Sequence, residues 1–362
     1  MSKPTALVYH DGRSDPAAWA KRCGVSQEAC ELLAAADFID LHLDLDVPVR
    51  LYGYNPSQRH EPAKKSPRLW GQTDFPRLRE AGFTGVVYDI ATNPVRPPKN
   101  RLETTKRNLT VAQGRTEHHP EDLAYIRTYG DYVRARSENK LALWLSLQGG
   151  NALLADPSVL DGEMGDALHR ITLMHLTSSR LGSTSSPAGR DGGITPLGRE
   201  FVERCNRKRI LVDLAHSGKK TFWGALEAHD PSLPPIVSHT GVEGVLPHWR
   251  NVDDAQIRAI ADRGGVVGVM YQSAFLEKLW MFQRGSRAKI LDHLEHIFQI
   301  AGEDVPAIGT DYDGAITPPA DLADVTEHPK LIQDMLDRKW SHQRILKLLG
   351  RNYLRVVEAV RP

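Results

Sequence analysis

The chain has 362 residues, 25% of them charged and 41% hydrophobic, and its 46 basic residues nearly balance 45 acidic ones for a formal net charge of +1. That length and apolar share suit one large α/β domain or two small ones with a sizeable core, and so even a charge balance gives no electrostatic footing for nucleic acid or a membrane surface. Cys23, Cys30 and Cys205 are too few and too scattered for a disulfide framework or a CxxC site, so they read as structural thiols of a reducing compartment.

The opening segment, MSKPTALVYHDGRSDP, carries one lysine and no apolar stretch of signal-peptide length. No run approaches the roughly 18 apolar residues of a membrane span, and the expected location is the cytoplasm. After an extension to about residue 36, short apolar runs alternate with helix-patterned stretches. The runs are 38-FIDLHLDL-45, 84-TGVVYDI-90, 141-LALWLSL-147, 170-RITLMHL-176, 210-ILVDLAH-216, 235-PIVSHT-240, 265-GVVGVMY-271 and 306-PAIGTDY-312. Nearly continuous apolar runs are the mark of parallel strands covered on both faces. Helices are expected over 75–82, 121–138, 196–208 and 253–264, with Thr195 as N-cap and Pro196 at the first position of the third. Residues 91–119 and 177–195 read as loops, and 330–340 and 341–360 as closing helices. Eight strand–helix units without a glycine-rich nucleotide fingerprint predict an α/β fold of the (β/α)₈ TIM-barrel type, one domain over residues 1–362 closed by helices from about 328.

The polar residues gather at strand ends. His42 and Asp44 share one side of the first strand. His175, His216 and His239 end later strands, Asp213 precedes His216, and Asp311 and Asp313 follow the eighth. The C-terminal strand ends are where barrel enzymes carry their chemistry, and imidazole with carboxylate and no thiolate is a donor set for zinc or a similar ion. A lone histidine at a strand end is usually structural; four on one face together with aspartates point to a metal centre. His42 and Asp44 would hold one ion, His216 and His239 a second. Asp311 would take the proton of an activated water and return it to a leaving amine, and His175 would donate to the developing oxyanion. Arg250, in 244-GVLPHWRNVDD-254, has the planar fork to clamp a substrate carboxylate.

The motifs His42-x-Asp44, GQTDFPRLREAG at 71–82, TLMHLTSS around His175, DGGITPLGREFV, LVDLAHSG, VSHTGVEGV, PHWRNVDD and GTDYDG at 309–314 are together specific. With the tail DRKWSHQRILKLLGRNYLRVVEAV, they make the chain resemble the membrane (renal) dipeptidase family of zinc peptidases, among the amidohydrolase-like barrels, from about residue 38 to 360. The resemblance implies a (β/α)₈ barrel, two zinc ions and cleavage of dipeptides, including those with a C-terminal D-residue. It implies His42 and Asp44 as ligands of one zinc, His216 and His239 of the other, His175 and Arg250 as substrate contacts, and Asp311 as the acid–base group. Family members are often dimers, so a homodimer is expected, with a dipeptide or other small molecule as the substrate partner.

One position departs from the family. The family's bridging glutamate, before the glycine pair on the third strand, is here Gln148, in SLQGGNAL. A neutral amide offers a metal pair one carbonyl oxygen and no charge. The expected consequences are loss of one ion, weaker binding of both, or a water taking over the bridge. Glu117, His118 and His119, in the preceding loop, are the nearby groups that could compensate. A dipeptidase therefore competes with two other readings: a metal-bound homologue that binds peptides without cleaving them, and a one-metal lyase or isomerase acting on another small carboxylated metabolite.

Overall fold

A computed structural model describes residues 5–61, 69–93, 96–187, 192–280 and 282–362. Nine parallel strands form one sheet: β1 (Ile39–Leu43), β2 (Gly85–Ala91), β3 (Leu123–Ile126), β4 (Leu141–Gln148), β5 (Arg170–Thr172), β6 (Leu211–Asp213), β7 (Ile236–Thr240), β8 (Val266–Val269) and β9 (Pro306–Ile308). Eight follow one another in the order β1-β2-β4-β5-β6-β7-β8-β9, and a parallel bridge from Leu43 to Tyr312 draws the last against the first. The seam is held by the Asp311 amide donating to the His42 carbonyl (3.1 Å) and the Asp44 amide to that of Tyr312 (3.0 Å). The chain thus folds as the expected (β/α)₈ barrel.

Alternate strand positions feed two apolar clusters. One packs the strands against the surrounding helices. The other gathers Ile39, Leu41, Val87, Trp144, Leu211, Ile236, Val266 and Ala307 inside the barrel and is plugged by Tyr353, Val356 and Val357 of the C-terminal helix Asn352–Val360. β5 contributes no apolar residue to this inner cluster and places Arg170 there instead, fully buried. β1 shifts register between Asp40 and Leu43, which frees His42 from strict alternation.

Three expectations are corrected. The segment 91–119, read as a loop, contains the 21-residue helix Pro98–His118; its buried stripe includes Arg101, Thr104, Thr105 and Asn108, so apolar periodicity is weak there. Residues 94–95 of that segment and 188–191 of the second expected loop lie outside the described residues. The window 121–138, read as one helix, is β3 followed by the helix Tyr129–Ser137. β3 shares an edge of β4 with β5, pairing with Leu141–Trp144 while β5 pairs with 146–148. The stretch 341–360 is broken by a π-helical turn at Lys347–Arg351 between two α-helices. Thr195 caps the helix Pro196–Arg207, accepting from the Gly198 amide (3.0 Å), as its sequence predicts. No described helix is long and apolar enough to cross a membrane.

Candidate metal centre

Each candidate side chain lies at or just beyond the C-terminal end of a strand. His42 and His239 lie within β1 and β7, Gln148 ends β4, and Asp44 follows β1. His175, His216 and Asp311 each sit three residues past their strands, and His216 (φ +62°) and Asp311 (φ +61°) occupy left-handed backbone. Such conformations cost a non-glycine residue energy and persist where the surrounding structure enforces them, often at functional sites. Arg250 comes from the loop between β7 and the helix Asp254–Asp262. Asp44, Gln148, His175, His216, Arg250 and Asp311 line one cavity of about 450 Å³, whose walls also carry Val47, Leu176, Trp249, Met270, Phe275 and Ile316. His42 and His239 are fully buried, their rings stacked with centroids 3.6 Å apart.

The donor atoms converge. One ligand atom each from His42, His239 and Asp311 lie within 4.8 Å of one another. His42 Nε2 stands 3.4 Å from Asp44 Oδ2 and 3.6 Å from Asp311 Oδ1, and His216 Nε2 stands 2.9 Å from His239 Nε2. The Gln148 carboxamide lies between the two sides, its Nε2 3.1 Å from His42 Nε2 and 3.4 Å from His216 Nε2. This differs in detail from the pairing expected of the sequence: Asp311, read as the proton acceptor, shares the ligand cluster, and His239 joins His42 there. All eight candidate residues nevertheless meet around one centre. Glu117, His118 and His119 do not reach it: Glu117 belongs to the helix Pro98–His118, and His118 and His119 line a separate cavity with Arg59 and Arg115.

Beneath the donors lies a polar layer that sequence reading did not assign. His42 Nδ1 is 2.8 Å from Asp89 Oδ2, which aims its Nε2 at the centre. Ser238 Oγ contacts His239 Nδ1 at 2.7 Å and donates to Asp213 Oδ2 at 2.6 Å. Arg170 joins the two halves, bonding Asp89 and the Leu41 carbonyl and approaching Asp213 Oδ2 to 3.6 Å. An acid inside an apolar run (Asp89 in TGVVYDI) and a cation opening one (Arg170) were the available signals. On the other flank Asp313 accepts the Gly71, Gln72 and Thr73 amides, which explains why GQT at 71–73 travels with GTDYDG.

Electrostatics fit a cation. Asp40, Asp44, Asp89, Asp213, Asp311 and Asp313 are buried around the centre, against Arg170 and Arg250. Burial, reinforced by Asp44, lifts the Asp311 carboxyl well above the usual range. Burial works against a charge on His42, yet Asp89 and Asp44 prevail and raise its pKa to about 10, the mark of a site that favours positive charge. Burial drives His216 and His239 far below the ordinary imidazole value, which keeps them neutral and able to ligate. One Asp44 oxygen is buried without a partner among the described residues. Surplus buried carboxylate, neutral imidazoles and an orphaned ligand oxygen together suit a divalent metal.

Comparison with known proteins agrees. A family model described as membrane dipeptidase (peptidase family M19) matches residues 26–362. The fold is similar to that of a probable dipeptidase, PvdM, from Pseudomonas aeruginosa, at 18% identity over 92% of this chain and 98% of that one, with a TM-score of 0.80. It is also similar to a metallopeptidase from Rhodobacter sphaeroides liganded with a phosphinate mimic of the dipeptide L-Ala-D-Ala, at 22% identity over 90% and 99% of the two chains, TM-score 0.78.

Proposed function

The chain belongs to the membrane dipeptidase family of metallopeptidases, and from that premise we propose that it hydrolyses the amide bond of dipeptides, including those with a C-terminal D-residue, with zinc as its metal. The observation that carries this reading is the convergence of His42, Asp44, His239 and Asp311 at a cavity of about 450 Å³ that Asp44, Asp311 and Arg250 line, a size that suits a small peptide. Histidine and carboxylate donors without a thiolate favour zinc. The phosphinate-bound relative lends the D-residue its support.

His42, Asp44, His239 and Asp311 would hold the ion, which would supply Lewis acidity and lower the pKa of a bound water toward neutrality. The protein's own groups do the rest. Arg250 is fixed by donating Nη2 to the His239 carbonyl (2.7 Å), while its Nε has no partner among the described residues, so it has capacity for a substrate carboxylate. His175, kept neutral by burial with a pKa of about 4, donates an N–H to the carbonyl oxygen as negative charge builds there. Asp311 would ligate through Oδ1, the oxygen that faces His42 Nε2, and its second oxygen would accept a proton from the attacking water and deliver it to the departing amine.

The test is an assay of the zinc-loaded protein on L,L and L,D dipeptides, with and without a chelator. Metal-dependent release of free amino acids is expected. Arg250→Lys should lower kcat/KM on dipeptides roughly 100-fold, because a point charge replaces a bidentate fork, and should leave dipeptide amides unaffected. Gln148 supports a second reading, a homologue that binds peptides or serves another carboxylated metabolite. No turnover on any dipeptide, with tight peptide binding, would establish that reading in place of the first.

A further inference from the structure

We propose that this protein holds a single catalytic ion, seated among His42, Asp44, His239 and Asp311, and that the second position of a two-metal centre has been given up at Gln148 and His216. The inference rests on the metallohydrolase reading above and fixes how many ions that site takes.

Two independent observations carry it. The first is chemical. The Gln148 side chain lies between His42 Nε2 (3.1 Å) and His216 Nε2 (3.4 Å), where a group spanning two ions must lie. An amide nitrogen has no free lone pair for a metal, and its oxygen carries no charge to offset a second dication.

The second observation concerns support. A histidine that ligates metal has its other ring nitrogen held by a carboxylate, carbonyl, hydroxyl or water, which fixes tautomer and direction. His42 has Asp89 at 2.8 Å, and His239 has Ser238 Oγ at 2.7 Å, itself anchored on Asp213. His216 Nδ1 is buried with no partner among the described residues. Its Nε2 leans 2.9 Å from His239 Nε2. The two supported histidines are the ones that cluster with Asp311, and Asp311 and Asp44 present adjacent carboxylates on the same side. The unsupported one stands with the amide.

Metal stoichiometry decides the matter without reference to turnover. The stripped full-length protein is titrated with Zn²⁺ or Co²⁺, freed of excess ion by gel filtration, and its metal is counted by mass spectrometry while the visible Co²⁺ bands report coordination. One ion per chain is expected. Gln148→Glu should raise the count to two, with a second set of Co²⁺ bands. His216→Ala should keep one ion at an affinity within about threefold of the parent, whereas His239→Ala should lose it. Two ions in the parent protein, one in both the parent and a folded Gln148→Glu, or loss of the ion in His216→Ala each overturns the proposal. A parent that holds no ion defeats this proposal and the metallohydrolase reading together. One ion without dipeptide turnover leaves the proposal standing and defeats only the proposed substrate.

Discussion

At Gln148 a single uncharged side chain alters what its neighbours must balance. Two dications about 4 Å apart repel by roughly 16 kcal/mol at an effective dielectric near 20, and a bridging carboxylate is the usual offset. The remaining negative charge sits on the opposite flank, where Asp44 and Asp311 face one another over Gly314. A Cβ at Gly314 would run into Asp311 Oδ1 and come within 2.6 Å of Asp44 Oδ2. Gly314 has no left-handed φ to defend, so the backbone tolerates alanine and only the carboxylates must yield. Gly314→Ala is therefore expected to weaken metal binding roughly 10- to 100-fold, the range for disturbing the groups that orient a ligand. Chelator competition reads the change directly, and an unaltered affinity would remove Gly314 from any part in spacing the carboxylates. Gly149 is constrained differently: its φ of +97° excludes a side chain on conformational grounds, and a Cβ would also meet Asn151 Oδ1 at 2.7 Å.

Whole elements show why some of the architecture was legible and some was not. The barrel strands could be read because burial on both faces leaves near-continuous apolar runs, and every strand of the closed path falls inside an expected run to within a residue at its end. β3 could not, because LAYI is too short to outweigh the helical pattern that follows. Thr128 and Asp131 do form a capping box, so the true helix start was written in the sequence and passed over. The helix Pro98–His118 hides because it buries polar groups. The helix Ala288–Ala301 illustrates a further layer that no periodicity reveals: its His293 Nδ1 accepts the Val242 amide (2.9 Å) and its Nε2 donates to the Leu276 carbonyl (2.9 Å), a pattern only the neutral ring can make. Burial holds its pKa at about 4, against an ordinary 6.5. A depressed folded value means that the unfolded chain takes up the proton first. The stability His293 contributes is thus complete above pH 6.5 and is lost as pH falls through 4, by about 3 kcal/mol in full. Urea unfolding between pH 7 and 4 should show a shallower fall in stability for His293→Gln than for the parent, by up to one proton in slope. Parallel curves would mean that the ring titrates alike in both states.

For the molecule as a whole, the centre doubles as a clasp. The donors proposed for the ion come from β1 and the residue just after it, from β7 and from the segment after β9, and that last segment meets β1 through one bridge at Leu43–Tyr312, the two amide bonds flanking it and the amide and hydroxyl of Thr310 donating to the Asp40 carboxylate. β2 and β4, by contrast, stand in register over seven residue pairs, although β6 and β7 share only the pair Asp213–Ile236. The residues of the clasp were legible as chemistry, since histidines and aspartates stood out at strand ends. Their mechanical role was not, because it depends on which strands become neighbours when the sheet closes. An ion bound at about 1,000 times its Kd stabilises the folded chain by about 4 kcal/mol through linkage alone, so chelation should lower the melting temperature, and the drop should shrink as free ion is restored. The loss should also be local. Hydrogen exchange at the Asp44 and Asp311 amides should accelerate on chelation, while the β4 amides, which lie away from the seam, keep their protection. Uniform acceleration across all strands would show that the ion stabilises only the global fold, and unchanged exchange at Asp44 and Asp311 would show that the seam closes without it.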